Sequence, residues 1–373
     1  MQVKKKLSFF SKLIWLFTMV VAVLLTCAML AQYISPAKFW LFSMLGFTFF
    51  TFYVLNLILL IYWIIKCRRY LILPLIMFLA GLKPVTAIVQ FNMPESKEAQ
   101  IADGKPVKIM SYNVRLFDLY NWSNNLNTRA KIFDLIADEA PEILCIQEFY
   151  NSDKGEFQNL DTIIKVQKAK NYHVEYTHTL RKVDHWGIAT LSYYPIVNKG
   201  KLDLDSDETN HIVIFTDIKI DEDTIRVYNV HLQSIKLQKK DYELIEKFEA
   251  KNDNERIEGS KIIFNRLKDG FIKRASQVEI LEDHIKSSPY PIIVCGDFND
   301  TPISYVYGKL SDNLKDAFVQ SGFGFGRTYA GIFPSFRIDY ILHDKRIKSG
   351  NYNTINKPYS DHYPIYCTLF FNE

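Results

Sequence analysis

The chain has 373 residues and a formal charge of +4, but that balance averages two unlike parts. Residues 1–90 hold nine of the 45 Lys and Arg and no Asp or Glu, leaving 36 basic against 41 acidic residues beyond them, a net of −5. The larger part is therefore no nucleic-acid binder by bulk charge, and five cysteines without CxxC or zinc spacing read as buried free thiols rather than as a metal site.

In chain order, Leu13–Ile34 is uncharged and long enough for a spanning helix of about 20 residues. Phe39–Ile65 is a second such stretch, and Tyr70–Phe91 is a shorter one interrupted by Pro74 and by Lys83-Pro84. The alternative for the first stretch is a signal peptide behind Lys4–Lys6, but a second span follows at once, which favours a retained anchor. Residues 1–91 are thus expected to be a membrane anchor of two or three transmembrane helices, 92–105 a linker, and 106–373 a catalytic domain. Lys4–Lys6 and Lys12 precede the first span, and Lys66, Arg68 and Arg69 follow the second, so both clusters lie inside by the positive-inside rule. A third span then delivers the rest of this multi-pass integral membrane protein to the extracytoplasmic side. If Tyr70–Phe91 only lies along the interface, the domain stays cytoplasmic; three spans is the preferred reading.

Beyond the linker, Val107–Val114 alternates as a strand, and Thr128–Ala140 carries an apolar helical face of Ile132, Phe133, Leu135 and Ile136. Ile143–Gln147 is a buried-type strand ending at Glu148, followed by strands at Asn171–Thr179 and Trp186–Ser192. His211–Ile220 and Thr224–Leu232 form a hairpin around Asp221-Glu222-Asp223. Ile235–Ser288 is highly charged and mostly helical, with interspersed Lys and Glu that suit a solvated face. A β-branched strand at Ile292–Gly296, a helix from Ser304, and strands at Phe336–Leu342 and Tyr363–Phe371 complete the chain. Mixed strands with helices between them predict an α/β fold of two packed sheets covered by helices.

Polar groups recur just past these apolar strands: Asn113, Glu148, Asn229 with His231, Asp297 with Asn299, Asp339, and Asp361 with His362. Singly each reads as a turn or a surface group; together they are what a site on one edge of a sheet requires. Oxygen ligands at Asp297 and Asn299 suit a hard cation. His173, His178, His185, His211 and Trp186 read as packing or surface residues.

The stretches Ser-Tyr-Asn113-Val-Arg115, Ile-Gln-Glu148, Trp-Gly-Ile-Ala-Thr-Leu-Ser, Asn229-Val-His231-Leu, Arg274-Ala-Ser-Gln277, Gly-Asp297-Phe-Asn299, Arg-Ile-Asp339-Tyr and Ser-Asp361-His362-Tyr-Pro occur in order over residues 107–370. In this the chain resembles the endonuclease/exonuclease/phosphatase superfamily, the DNase I-like fold. The resemblance implies a four-layer α/β/β/α sandwich behind the transmembrane helices. It also implies a Mg²⁺-dependent phosphoesterase, with Mn²⁺ as a substitute. By the same resemblance Glu148 is the principal metal ligand, with Asn113 and Asp361 near the same ion. Asp297 and Asn299 orient the attacking water or a second metal, and Asp339 orients His362 beside the scissile phosphate. His231 is a phosphate-contacting general acid, and Asn229 joins the substrate site; Arg115 is read apart from the resemblance, as a contact to substrate phosphate or a structural ion pair. Phe-Tyr after Glu148, and Arg115 two past Asn113, depart from the DNA-repair branch. The substrate stays open among a nucleic acid, a phospholipid and a small phosphodiester, and the competing reading is a non-catalytic membrane-tethered scaffold that kept the fold.

Overall fold

The computed structural model describes residues 8–93, 104–204, 211–235, 253–331 and 336–371. Lys4–Lys6, most of the expected linker and residues 236–252 of the charged stretch lie outside them. Two six-stranded mixed sheets pack face to face. The first has β1 (Lys105–Asn113), β2 (Ile143–Ser152), β3 (Asn171–Leu180) and β4 (Asp184–Ser192). The second has β5 (Ile196–Leu202), β6 (Ile212–Ile220), β7 (Asp223–His231), β8 (Ile292–Asp297), β9 (Leu314–Asp316) and β10 (Asp339–Asp344). The chain then returns to the first sheet with β11 (Lys348–Thr354) and β12 (Ile365–Phe371), giving the orders β11-β12-β1-β2-β4-β3 and β9-β10-β8-β7-β6-β5.

Alternation along the strands separates the layers. Ile109, Cys145, Val227, Ile293, Ile341 and Cys367 face inward and fill the space between the sheets. Their opposite-parity neighbours meet helices: α4 (Thr128–Glu139) and α5 (Asn159–Gln167) cover the first sheet, and the C-terminal half of α6 (Asp253–Lys286) with α7 (Tyr305–Ser311) covers the second. The four-layer sandwich is therefore present. All five cysteines are free, and Cys145, Cys295 and Cys367 sit in the inter-sheet core. β5, β9 and β11 are strands the apolar pattern did not mark. β5 and β11 are edge strands carrying polar residues, and β9 has only three residues.

Ahead of the sandwich, α1 (Phe9–Leu30) and α2 (Phe49–Lys66) are long and apolar enough to cross a membrane. They run antiparallel: Ser11 meets Tyr62 and the Trp63 indole donates to Thr18 Oγ1 at 3.0 Å. The stretch joining them, expected inside one long span, instead breaks into short helices Pro36–Phe39 and Leu41–Phe47. The expected third span is not one helix either. It consists of α3 (Ile72–Ala80) and a short piece, Leu82–Thr86, meeting at Gly81, where a Cβ would lie 2.4 Å from the Tyr53 ring. Nine residues rise only about 13 Å. α3 nevertheless runs back along α2, since Asn56 donates to Pro74 O at 3.0 Å and Tyr53 Oη to Phe78 O at 3.2 Å. Trp15, Trp63 and Tyr70 cluster at one end of this bundle, beside Lys66, Arg68 and Arg69. The sandwich is seated on the other end: Gln32 Nε2 donates to Pro302 O at 2.8 Å, Ile303 packs among Ala28 and Phe49, and Arg337 Nη2 donates to Ala87 O at 2.8 Å.

Candidate active site

Strand register brings the expected residues into two rows. Across the second sheet His231 pairs with Asp297, and Asp297 with Asp339, so three neighbouring strands end in a line. Across the first sheet Asn113 pairs with Gln147, one residue before Glu148. The rows meet where the Asn113 amide lies between two carboxylates, 3.1 Å from Asp297 Oδ2 and 3.3 Å from Glu148 Oε1.

Three departures from regular backbone aim the groups. β2 continues past Glu148, contrary to the expectation that it stops there; a bulge between Ile146 and Phe149, with Glu148 at φ +48°, turns the carboxylate out of the strand. Gly296 has φ +140°, and a Cβ there would lie 2.0 Å from Val230 O, so only glycine allows β7 and β8 to approach. Asn299 sits at φ +53°, its N–H donating to Asp297 Oδ1 at 2.8 Å and its amide to Leu232 O at 3.0 Å, an Asx turn that locks both side chains. Arg115–Asp118 form a left-handed turn with φ between +46° and +58°. Such a turn costs roughly 1–2 kcal/mol per residue. It brings the Arg115 guanidinium back over the Trp122 ring at 4.5 Å and to 3.3 Å from Asp361 Oδ2.

His362 Nδ1 lies 2.9 Å from Asp339 Oδ2, and its Nε2 is 3.6 Å from Asp297 Oδ2. Burial alone would lower the pKa of this imidazole, but the carboxylates of Asp339 and Asp297 outweigh it and hold the ring protonated well above the usual histidine range. Desolvation raises the Asp297 carboxyl despite His362. Desolvation, then the facing Asp361 charge, pushes Glu148 up to about 7, although a third of its side chain is still exposed. Carboxylates crowded until they resist ionising, with side-chain amides and imidazoles beside them, are a donor set that a divalent cation fits, because its charge removes the repulsion. Asp297, Asp339 and His362 also offer ligand atoms within 4.8 Å of one another, but there His362 and Asp339 already satisfy each other.

The rows form the floor of a pocket of about 300 Å³, lined by Arg115, Glu148, Asp297, Asn299, Asp361 and His362 among others. His231 stands just beneath, its Nε2 3.8 Å from both Glu148 and Asp297. Asn229 does not join them. Its amide donates to Ala189 O at 2.8 Å and accepts from Gln147 Nε2 at 2.7 Å, so it ties the two sheets together under the floor. Sequence reasoning missed the supports: Ser360 Oγ donates to Asn113 O and accepts from His362 N, and Thr328 Oγ1 accepts from Ile338 N and Asp339 N. Ser360 adjoins Asp361 and was within reach of the motif; nothing local marks Thr328. Arg274 was seen only as part of a motif, yet it borders the pocket with its Nε 3.0 Å from Asp300.

A family model described as the Endonuclease/Exonuclease/phosphatase family matches residues 110–362, and one described as a domain of unknown function matches residues 11–88. No curated protein matches the chain. Among solved structures it is similar to an endonuclease/exonuclease/phosphatase family protein from Bacteroides thetaiotaomicron (15% identity, 72% of this chain and 99% of that one, TM-score 0.53). It is also similar to a functionally unknown conserved protein from Enterococcus faecalis (15%, 71% and 100%, 0.53) and to a mannosyl-6-phosphatase from Bacteroides thetaiotaomicron (16%, 71% and 100%, 0.51). At such identities these likenesses speak for the fold.

Proposed function

Because the chain belongs to the endonuclease/exonuclease/phosphatase family, a family of hydrolases of phosphatase and nuclease type, we propose that it is a membrane-anchored, Mg²⁺-dependent phosphoesterase that cleaves a phosphodiester. The observation that carries this reading is the meeting of the His231–Asp297–Asp339 row with Asn113 and Glu148 under one pocket, with Asp361 and His362 closing it. A scaffold that had lost catalysis would have no reason to keep all of these groups in contact.

Glu148, Asn113 and Asp361 are the residues that would hold the cation, with Asp297 and Asn299 for a second ligand set. Bound there, a divalent ion supplies positive charge that offsets the phosphate's own. The chain's side chains do the rest. Asp339 fixes the His362 ring so that Nε2 faces the floor, where an imidazolium can neutralise a phosphate oxygen. Asp297 and Asn299, fixed by their Asx turn, orient the attacking water, and the Asp297 carboxylate takes its proton as the new P–O bond forms. His231 holds the proton that the departing alkoxide takes. Arg115 exchanges its Asp361 contact for substrate phosphate.

Glu148→Gln and His362→Ala are expected to abolish chelator-sensitive hydrolysis over a panel of diesters, with the thermal midpoint little changed. Full activity in either purified variant refutes the roles, and no turnover of any member by the natural protein returns the scaffold reading.

The anchor's geometry favours the extracytoplasmic placement. What supports this is that Lys66, Arg68 and Arg69 cluster at one end of the helical bundle, against the single lysines Lys38 and Lys83 toward the sandwich, and the positive-inside rule read on the denser cluster has the site outside. A phosphatase reporter fused after residue 93 should be active only outside the membrane; activity confined to the cytoplasm overturns this topology.

A further inference from the structure

The pocket has a second wall that phosphate chemistry does not use. Ile263, Leu267 and Phe271 recur at four-residue spacing along one face of α6, Phe336 and Ile338 stand nearby, and Phe47 reaches in from the turn between α1 and α2. Phe47 and Phe336 are in ring contact, with centroids 4.4 Å apart. The wall runs directly into the floor, because Asp297, Asn299 and Thr301 line the same cavity and Pro302 and Ile303, just beyond them, rest on the helical bundle.

Charge argues against a polyanion in this cavity. Among the described residues that line it, the Arg and Lys side chains are Arg115 and Arg274; Arg115 can leave Asp361 for one phosphate, whereas Arg274 is fully buried against Asp300. Neutralising several phosphates of a nucleic acid requires cations to spare. A phosphate ester with one anionic group and a long apolar chain requires instead one charged end and one greasy wall.

The surroundings indicate where such a chain would come from. Trp40 packs edge-on against Phe264 at 5.1 Å with Lys268 over its ring at 5.4 Å, and Phe50 meets Phe325 at 5.9 Å. Phe264, Phe325 and Ile257 remain exposed. Aromatic side chains with a lysine alongside, at the end of a hydrophobic helix pair, are the composition of a membrane–water boundary. Taken as such a boundary, these contacts put the first half of α6 beside it, and Ile263, Leu267 and Phe47 line the same cavity as the catalytic floor.

We propose, resting on the membrane-anchored phosphoesterase reading, that the substrate is a phospholipid-type phosphate ester drawn from the bilayer, its apolar chain lying between Phe47 and the Ile263–Leu267–Phe271 stripe while its phosphate meets the floor. Each methylene buried there strengthens binding about fourfold.

The test uses the full chain in nanodiscs. Phosphatidic acid bearing a photoreactive group on its acyl chain, without divalent metal, should label Phe47 and the α6 stripe, and excess unlabelled long-chain phosphatidic acid should compete. Labelling confined to the outer faces of α1 and α2 overturns the proposal. In parallel, with Mg²⁺, short-chain and long-chain forms of phosphatidic acid, phosphatidylglycerol and sphingomyelin are compared with bis(p-nitrophenyl) phosphate. For at least one head group the long-chain form should be preferred by about tenfold or more in kcat/KM, and the double substitution Ile263→Gln, Leu267→Gln should bring that ratio close to one. Turnover of bis(p-nitrophenyl) phosphate with no preference for any long-chain lipid sinks this inference and leaves the phosphoesterase reading standing. Turnover of nothing sinks both.

Discussion

At the scale of single residues, the molecule places titratable groups where their neighbours decide the charge. His362 is kept protonated by two carboxylates, whereas His343, in the core of the second sheet, is kept neutral. Burial lowers the His343 pKa, and its ring is held between Gln320, Ser349 and the Asp344 carbonyl at 2.8–3.0 Å. A folded state that resists protonating a group takes up fewer protons than the unfolded chain. The stability His343 contributes is therefore complete above the ordinary histidine pKa of about 6.5 and is lost as pH falls below it. Denaturant midpoints should drop from pH 7 to pH 5, and the drop should be shallower in His343→Gln. An unchanged slope would mean that other groups carry the acid sensitivity. Glu148 shows the reverse limit of sequence reading: its identity and place after a strand were legible, but not the bulge that turns it into the site, because a bulge depends on the partner strand.

At the scale of elements, parallel pairing does the aligning. β1 with β2 and β7 with β8 run the same way, so their polar ends fall at one edge, and β10 returns antiparallel to set Asp339 against Asp297. Gly296 is the tightest point of that alignment. Gly296→Ala should destabilise the protein by about 1–3 kcal/mol, through a methyl forced against Val230 O at a backbone angle alanine avoids. It should also lower activity, since the shift displaces Asp297 from His231. A thermal melt and a diester assay check both, and an unperturbed melt would show that β7 yields. The strands and α4 were readable because their apolar periodicity is local. An interruption of the third apolar segment was readable from Lys83-Pro84, but its place at Gly81 was not, because the close approach there of the Tyr53 ring from another helix is a matter of packing.

At the scale of the whole molecule, the helical bundle and the sandwich are joined by buried polar contacts rather than by a tether alone. Arg337 is the principal one: its Nη2 reaches Asp316 Oδ2 at 2.7 Å and Ala87 O at 2.8 Å, nearly without solvent. Arg337→Ala removes the cation from the buried Asp316 carboxylate, which keeps only the neutral Tyr307 hydroxyl and Phe318 N–H donors, and removes a donor from Ala87 O; it should cost about 3–5 kcal/mol. Unfolding of the detergent-solubilised chain should show it, together with faster proteolysis between bundle and sandwich. A cost below about 1 kcal/mol would mean that the two parts meet more loosely than this geometry implies.

Motif order and local periodicity survive without knowledge of neighbours, so the family, the sandwich and the two longest apolar helices were legible in the sequence, as were the polar groups that the strand ends bring together. That Asn229 ties the two sheets together instead of lining the pocket was not legible, since burial by another strand is a property of the pairing. Tertiary structure alone sets Phe47, far from them in the chain, and the α6 stripe beside Asp297 and Asn299, because the meeting of Phe47 with the other two depends on how the helical bundle docks on the sandwich.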